Sequence, residues 1–361
     1  MDKALFFATL VLFPFGQIFK SGIFNLFDGL VLLLALITFF KKPNYPTWYK
    51  YFIYFLLFCV FSLIANGSLF TVNSSLYLLR LWSYSMIAVY ISNFYKEKKP
   101  IIYYLLPITL ATASLGWLQY FIWPDLTALK YLGWDDHLLR MTGTFLDPTF
   151  LGLILVLGVI IALQKKYYLV VLFLTLSIAL TYSRSSYLAL FIVFLLDFVK
   201  FRNLKRFIIC NLAFVIVLFV LPKGIGEGTT LTRTVSGNNK LINYTETIEI
   251  IKKSPLYGVG FNNICSARKI YMNDTMNDTN LESHACSGSD SSLLFLLATT
   301  GVVGLILFIN FVLNTPRDVV ISISFIAILI HSIFANSLFY PHIMFWMFAL
   351  VGLKGEVDDK R

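Results

Sequence analysis

Long apolar runs alternate with short polar breaks along almost the whole chain. Most runs approach the length of about 17–25 residues that one helical crossing of a bilayer needs. Several are shorter, which leaves open that one pair is re-entrant. We predict an all-α polytopic membrane protein with about twelve transmembrane helices, at residues 4–19, 23–40, 48–65, 72–93, 101–123, 144–163, 167–183, 186–199, 206–221, 291–313, 319–338 and 341–353.

The composition agrees with this pattern, since 58% of the residues are hydrophobic and 13% are charged. Such values exclude an ordinary soluble domain. The first apolar run lacks a small-residue cleavage site, and another run follows it at once. We therefore interpret it as a retained helix rather than a signal peptide.

The net charge of +10 is distributed unevenly over the breaks. With the N-terminus inside, the inside connections carry seventeen lysines and arginines, and the short outside connections carry four. Because cytoplasmic connections are enriched in these residues, we predict a multi-pass protein of the cytoplasmic (inner) membrane with both termini cytoplasmic. The basic balance is then a topology signal, and no nucleic-acid partner is expected.

One long polar connection, residues 223–290, interrupts the series after Pro222. Loops of this length are usually functional or disordered. We predict a single membrane domain in which residues 1–222 form helices one to nine and residues 291–361 form the last three helices and a cytoplasmic tail. The connection between them is predicted to be a large extracytoplasmic loop.

Within this loop, the segment Lys240–Lys253 has the period of an amphipathic helix. Asn239 is expected to cap its start, and Ser254-Pro255 to end it. We expect the helix to lie on the outer surface. Its apolar residues share one face, which consists of Leu241, Tyr244, Ile248 and Ile251.

The four cysteines divide by location. Cys59 and Cys210 fall in apolar runs, where packing is their simplest role. Cys265 and Cys286 both fall in the exterior loop, where a disulfide between them is chemically allowed. The sequence has no zinc-type spacing, no convincing cluster of metal ligands and no nucleotide or ATP motif, so we expect no metal and no cofactor.

Arg184 stands in a short break between two apolar runs, on the predicted outer side. A charge in hydrocarbon costs about 2.5–3.5 kcal/mol on insertion scales at a helix centre. One interpretation is an arginine that snorkels to the interface. The other is an anion-binding arginine, because a phosphate about 4 Å away offers roughly 4 kcal/mol at an effective dielectric of about 20. A guanidinium also adds bidentate selectivity for phosphate.

Two further arginines raise the same question. Arg80 lies inside an apolar run, where it is either a hydrogen-bonded structural arginine or a ligand contact. Arg140 lies in the outer connection before the sixth run and shares the predicted outer face with Arg184. In that connection Asp147 precedes Pro148, and we assign Asp147 to capping of the next helix.

The end of the long loop carries two residues that suit acid–base chemistry, His284 and Asp290. Asp290 is either the N-cap of the next helix or a general base beside a substrate at the outer membrane surface. His284 is an alternative base in the preceding stretch.

Four residues near the last spans receive structural assignments. Gly301 and Gly304 are expected to thin one helix face for close packing. His331 and His342 flank the last outer turn, and we interpret them as hydrogen-bonded residues at helix ends.

Four segments, taken in order, resemble the O-antigen polymerase and O-antigen ligase superfamily (Wzy and WaaL types). Arg140–Gly152 resembles its Arg-x-x-Gly-Thr-Phe-x-x-Pro-Asn segment, and Leu180–Leu190 resembles its Thr-x-Ser-Arg-Ser/Gly segment. Ser254–Phe261 resembles its Pro-Leu-x-Gly-x-Gly-Phe segment, and Ser289–Gly304 resembles the segment that leads into the next span. The likeness extends over about residues 70–353.

The chain departs from the ligase pattern at three positions. Asp290 stands where the ligases have a histidine, and Thr149 stands at the asparagine that follows the proline. Lys240 stands where the ligases have an arginine near the start of the loop helix, with Arg233 a nearby alternative. These departures favour a polymerase over a ligase.

The resemblance implies a membrane glycosyltransferase whose donor and acceptor are glycans on a polyprenyl diphosphate. Asp290 would orient or deprotonate the acceptor hydroxyl, with His284 a weaker substitute. Cations would favour the charge that develops on the leaving diphosphate. The cationic residues in this role are Arg184, Arg140, Arg80, Lys240 and Arg233.

The same resemblance suggests membrane lipid as a partner and allows a chain-length regulator or a flippase. Two other functions stay open. An O-antigen ligase or protein O-oligosaccharyltransferase would share the donor site and differ in the acceptor. A polysaccharide transporter or flippase would suit twelve spans, although transporters often show related halves, and no internal repeat is visible.

Overall fold

The computed structural model describes residues 2–21, 24–69, 71–95, 102–222, 227–232, 234–271 and 288–354. These residues are almost entirely helical. A single antiparallel hairpin joins strands β1 (Lys20–Ser21) and β2 (Phe24–Asn25). The α-helices of the described ranges are α1 Asp2–Leu12, α2 Leu26–Phe40, α3 Tyr49–Ala65, α4 Val72–Phe94, α5 Ile102–Ile122, α6 Pro148–Gln164, α7 Tyr168–Leu180, α8 Arg184–Phe201, α9 Leu204–Val220, α10 Val235–Lys253, α11 Ile264–Tyr271, α12 Ser292–Asn314, α13 Val319–His331 and α14 Pro341–Gly352.

Each of the twelve apolar runs overlaps one of these helices. Within the described ranges, α5 and α12 are long and apolar enough to cross a membrane by length and composition. Six shorter apolar helices accompany them, namely α2, α3, α6, α7, α13 and α14. The helical class is as predicted, while the number of crossings stays a prediction.

Helices α10 and α11 lie in the long connection. Helix α10 begins at Val235, earlier than the predicted start at Lys240. The assignment of Asn239 as its cap is therefore wrong, because Asn239 lies inside the helix. The end at Lys253, before Ser254-Pro255, is as predicted.

The packed face of α10 also differs from the predicted apolar face. Asn243, Thr247 and Ile250 are buried, whereas Leu241 and Ile248 are 61% and 40% exposed. The buried face is partly polar because its side chains form hydrogen bonds to another segment, described below. A search for apolar periodicity alone therefore selects the wrong side of this helix.

The chain divides into two compact units. The first unit comprises Met1–Leu30, Glu97–Arg233 and Asp318–His331. The second unit comprises Val31–Lys96, Thr234–Arg317 and Ser332–Arg361. Helices α5 to α9 and α13 therefore belong to the first unit, and α3, α4, α10 to α12 and α14 to the second.

Helix α6 is the centre of the first unit. Its residues are buried from Leu151 to Leu163, as expected of a helix that is apolar on every face. A Cβ at Gly158 would come within 2.3 Å of the Thr109 side chain on α5. A Cβ at Gly152 would come within 2.4 Å of the Ser186 side chain on α8. The two glycines thus permit close approach of α5 and α8.

The second unit packs α12 against α3 and α14 against α4. Helix α14 is buried along its whole length. Gly352 at its end faces the backbone of Ala88 on α4, where an added Cβ would lie 2.8 Å from the Ala88 Cα. Small residues therefore bring the backbones of these two helices together.

Helix α12 is interrupted at Gly301, whose φ of 65° and ψ of −169° are not helical. The close packing predicted at Gly301 is confirmed, but it does not occur on a continuous helix face, because this residue breaks the helix. Its positive φ suits glycine, which has no Cβ to clash with the backbone. An added Cβ would lie 2.3 Å from the Leu256 carbonyl carbon.

The loop segment Pro255–Phe261 occupies this break and pairs with the backbone on both sides of it. Val259 N and Gly260 N donate to the carbonyls of Ala298 and Thr299, at 2.9 and 3.0 Å. In return, the amides of residues 302 and 303 donate to Pro255 O and Leu256 O, at 2.9 and 3.3 Å. The backbone groups released by the break are thus satisfied by the loop.

Side chains at the end of α3 and just after it reinforce the junction between the loop and α12. Ser62 Oγ lies 2.6 Å from Tyr257 O and 3.0 Å from Thr299 O, in geometry for donation to either carbonyl. Asn66 Nδ2 donates to Gly258 O at 3.0 Å. Gly258 itself has a φ of 70°, and a Cβ there would lie 2.3 Å from the Thr299 carbonyl carbon. Neither glycine leaves room for a side chain.

Replacing Gly301 by alanine should destabilise the protein, because alanine must adopt a positive φ against the Leu256 backbone. We expect a loss of at least about 1–3 kcal/mol, the cost of one strained backbone residue. Thermal unfolding in detergent measures it. The control is Gly29→Ala, since no atom lies within 4 Å of a Cβ at this position. Equal midpoints for Gly301→Ala and wild type would contradict the packing described.

Candidate functional site

In the first unit, a tight turn separates α7 from α8 and carries Arg184. Thr181, Tyr182 and Ser183 form the turn, and Tyr182 has a φ of 50°. Ser183 caps α8, its hydroxyl accepting from Ser186 N. Arg184 is the first residue of α8 and is exposed. The predicted break between two apolar helices is therefore confirmed, with the arginine at the positive end of a helix dipole.

The Arg140 side chain stabilises this turn through two hydrogen bonds to its backbone. Its Nε donates to Thr181 O at 3.0 Å and its Nη2 donates to Tyr182 O at 3.4 Å. The side chain is buried, and Met141 N adds a backbone bond to Leu180 O at 2.9 Å. A buried guanidinium bonded to two backbone carbonyls positions the turn. The structure thus places the Arg140 side chain against the turn that leads into Arg184.

Behind Arg184, two serines of α8 contact a buried histidine. Ser185 Oγ and Ser186 Oγ lie 3.1 and 3.3 Å from His331 Nε2 at the end of α13. Ser186 Oγ also donates to Ser183 Oγ at 2.9 Å. The prediction of His331 as a hydrogen-bonded helix-end residue is confirmed. The network holds the first turn of α8 in a fixed position.

The stretch that precedes α6 completes the surroundings of this turn. Asp147 Oδ1 accepts from Thr149 N at 2.6 Å and from Phe150 N at 3.3 Å, so its predicted capping role is confirmed. His137 is buried near Arg140. Burial, followed by the positive charge of Arg140, lowers the pKa of His137 below its ordinary value. The imidazole is thereby biased toward its neutral form.

In the second unit, Asp290 lies just before α12 and is held by α10. Asp290 N donates to Asn243 Oδ1 at 2.8 Å, and Asn243 Nδ2 donates to Gly288 O at 3.2 Å. The N-cap of α12 is Ser291, whose side chain accepts from Leu294 N. The interpretation of Asp290 as the N-cap is therefore wrong. Its carboxylate is half-buried and stands next to the helix start.

Two side chains of α10 bind the turn that precedes α14. Tyr244 Oη donates to Ile333 O at 2.6 Å, and Lys240 Nζ donates to Phe334 O. Burial and the negative charge of Asp290 raise the pKa of Tyr244 to about 12. The predicted lysine therefore stands on the same helix as the residues that hold Asp290.

Arg80 lies on α4 in the second unit and is half-buried. Its guanidinium carbon lies 4.7 Å from the centre of the Tyr77 ring. Its charge also acts on His342, which is buried in the first turn of α14. The hydrogen bonding predicted for His342 and the ligand contact predicted for Arg80 stay predictions.

Two predicted site residues, Arg233 and His284, lie outside the described residues, as does Cys286. Cys265, the other member of the predicted pair, is disulfide-bonded. Cys59 and Cys210 are free thiols. In the described part of the chain, no group of three or more His, Cys, Asp and Glu side chains is placed to hold a metal ion.

The four motif segments of the sequence pair off in space. Arg140–Gly152 contacts the Thr181–Tyr187 turn in the first unit, and Ser254–Phe261 pairs with Ser289–Gly304 in the second. Sequence reasoning missed the serines beside Arg184 and the polar face of α10. The serines could have been found from the run Ser-Arg-Ser-Ser at Ser183–Ser186. The polar face of α10 could have been found from the four-residue spacing of Asn243 and Thr247.

The apolar helices are consistent with a helical membrane protein, and one exposed helix start carries an arginine. Residues 169–309 match the Wzy_C family model, which is described as O-Antigen ligase. This match confirms the O-antigen ligase and polymerase superfamily predicted from the motifs. It covers less than half of the chain and does not separate polymerases from ligases.

Members of this family are glycosyl-transferring enzymes of surface polysaccharide synthesis that act on lipid-linked glycans, and the match supports a function of this general kind for the chain. The matched segment contains Arg184, Lys240 and Asp290 and begins after Arg140. No curated protein matches the chain.

Replacing Arg140 by glutamine should destabilise the turn, because two carbonyls lose a charged donor. We expect a loss of about 1.5–3 kcal/mol, seen as a lower thermal midpoint in detergent. Arg184→Gln, at an exposed position of the same turn, should cost less. Equal losses for the two variants would show that Arg140 is not the structural arginine.

Tyr244 should give the protein a pH-dependent stability in the alkaline range. Its folded pKa of about 12 lies above the ordinary 10, so the folded state holds the proton more tightly. The resulting stability is complete below pH 10 and is lost as the pH rises to about 12. Unfolding midpoints of wild type and Tyr244→Phe should therefore differ below pH 10 and converge above it.

The matched control for Tyr244 is Tyr131→Phe, since Tyr131 is 94% exposed. The unfolding midpoint of Tyr131→Phe should differ little from that of wild type at every pH. A constant difference between Tyr244→Phe and wild type across the range would contradict the assignment.

Proposed function

We propose that this protein polymerises polyprenyl-diphosphate-linked oligosaccharide repeat units into a surface polysaccharide. The reaction takes place at the outer face of the cytoplasmic membrane. In this proposal the chain crosses the membrane about twelve times, both termini are cytoplasmic, and residues 223–290 are extracytoplasmic. The charge asymmetry of the connections supports this orientation.

The observation that carries the proposal is Arg184 at the start of α8, on a turn that Arg140 buttresses. The N-terminus of a helix and a guanidinium group both attract anions. A diphosphate at this position would therefore interact favourably with the start of α8 and with the Arg184 side chain. Because the turn is fixed by buried bonds, its charge needs no rearrangement as the leaving group gains charge. Such preorganised charge stabilises a transition state more than a ground state.

Asp290 is the proposed acceptor-activating residue. Its backbone is held by Asn243, and the α12 cap is provided by Ser291, so the carboxylate is not needed to cap the helix. In the reaction, the acceptor oxygen forms a bond to the anomeric carbon while the sugar–phosphate bond breaks. Asp290 takes the hydroxyl proton, and the carrier diphosphate departs with the bonding electrons. No nucleotide is required.

The other cations keep subordinate roles in the proposal. Lys240 donates to Phe334 O and anchors α10 beside Asp290, and a diphosphate contact by Lys240 or Arg233 is a further hypothesis. Arg80 is proposed to contact ligand from α4, and His284 is an alternative base.

A ligase is the second function to consider, because the matching family model is described as O-Antigen ligase. An O-antigen ligase or a protein O-oligosaccharyltransferase would use the same donor and a different acceptor. Asp290 at the histidine position of the ligases favours the polymerase. The transporter alternative gains no support from the family match.

Replacing Arg184 by alanine should abolish long-chain polymer, because the donor diphosphate loses its principal charge partner. The measurement is the length distribution of carrier-linked glycans in cells that express only the variant. Abundance in the membrane fraction should be unchanged. Lys130→Ala is the control, since Lys130 is an exposed cation in another predicted outer connection.

The same measurement separates the two functions. Cells without a polymerase accumulate single repeat units on the carrier, whereas cells without a ligase accumulate long carrier-linked polymer. Normal polymer length with Arg184→Ala would remove this arginine from the mechanism.

A further inference from the structure

A groove between α7 and α9 in the first unit lies apart from the turn that carries Arg184. Its volume is about 490 Å³, within the roughly 300–1,000 Å³ of small-molecule sites. The lining is mostly apolar and includes Leu172, Ile209 and Ala213. Its charged lining residues are Lys205 and Arg206, both in the first turn of α9. The groove is therefore apolar with one basic end.

The basic end lies on the opposite side of the first unit from Arg184. Helix α8 starts at Arg184 and ends at Phe201, just before α9 begins. Eighteen helical residues span about 27 Å. By the charge asymmetry of the connections, the start of α9 faces the cytoplasm. A ligand at this end would belong to the cytoplasmic leaflet.

The charges at this end favour an anion. Arg206 forms an ion pair with Asp197, and its guanidinium carbon lies 5.2 Å from the Phe201 ring centre. Because Asp197 balances Arg206, the exposed Lys205 supplies the net positive charge. None of the described residues that line the groove is acidic. A zwitterionic headgroup would gain less from this arrangement than one with net negative charge.

Apolar side chains line the walls of the groove and are exposed at its surface. Leu169 and Leu172 on α7 are 84% and 43% exposed, and Ile209 on α9 is 54% exposed. Hydrocarbon chains are the natural partners of such a surface inside a bilayer. A phosphate-bearing headgroup at one end and an acyl chain along the apolar walls match the two ends of one molecule.

We propose that this groove binds an anionic phospholipid of the cytoplasmic leaflet. Its headgroup contacts Lys205 and Arg206, and one acyl chain lies between α7 and α9. Basic pockets on the cytoplasmic side of helical membrane proteins commonly bind such lipids. The site is independent of glycan transfer, because it is at the opposite end of α8 from the proposed donor site.

Cys210 reports directly on this groove, since it is a free thiol that lines it. Purified full-length protein in detergent is mixed with dioleoylphosphatidylglycerol or dioleoylphosphatidylcholine and then treated with N-ethylmaleimide. Mass spectrometry follows alkylation of Cys210, with the fully buried Cys59 as internal reference. Phosphatidylglycerol should slow the labelling of Cys210 several-fold at concentrations where phosphatidylcholine has no effect.

Two lysine variants test the headgroup contact. Lys205→Ala should weaken protection by about fivefold, the equivalent of about 1 kcal/mol for one basic residue near an anionic lipid. Lys200→Ala is the matched control, because Lys200 is an exposed lysine in the last turn of α8 that does not line the groove. It should leave protection unchanged.

Three outcomes would overturn the proposal. If the two phospholipids protect Cys210 from alkylation equally, the groove does not select for a negative headgroup. If Lys205→Ala and Lys200→Ala weaken the protection equally, the effect comes from general surface charge. Stronger protection by undecaprenyl phosphate would assign the groove to the carrier lipid. Should Cys210 resist alkylation without lipid, the rise in thermal midpoint on adding each lipid decides between the same outcomes.

Discussion

The second unit depends on one constraint, which is that backbone groups in apolar surroundings need hydrogen-bond partners. Helix α12 is broken at Gly301, and the break alone would leave buried amides and carbonyls without hydrogen-bond partners, which is costly. Pro255–Phe261 supplies those partners through its own backbone. Part of the long loop is consequently as much a component of the helical unit as α12 itself.

The first unit solves a comparable problem with a side chain. At the turn between α7 and α8, the carbonyls of Thr181 and Tyr182 are no longer part of a regular helix. The buried guanidinium of Arg140 donates hydrogen bonds to both. Hydrogen bonds to the two carbonyls offset the free-energy cost of burying the guanidinium. The same hydrogen bonds restrict the conformation of the turn. Arg184 next to it faces outward with its position already fixed. Arg140 is thus a structural arginine of the turn that leads into Arg184.

Much of the helical pattern could be predicted from the sequence, since each apolar run overlaps a helix. Local chemistry was equally readable at Asp147, whose position before Pro148 is a capping signal. The break at Gly301 was not, because its cause is a loop segment some forty residues earlier in the chain. Such long-range backbone pairing leaves no periodic trace in the sequence of the helix.

For a related reason, only part of the candidate site could be predicted from the sequence. Arg184 was recognisable because a charge is conspicuous in an apolar chain. The face of α10 that holds Asp290 was not, since Asn243 and Thr247 are bonded to backbone and polar side-chain groups that apolar periodicity does not weigh. Likewise Ser291, rather than the more obvious acidic neighbour, provides the cap of α12.

The pairing of Pro255–Phe261 with α12 has a consequence for biosynthesis. The ribosome releases this stretch before α12 has been made, so the stretch must emerge without the backbone that will later complete it. Its native conformation can form only once α12 has been made and lies beside it. Folding of this stretch is thereby coupled to the later synthesis of α12.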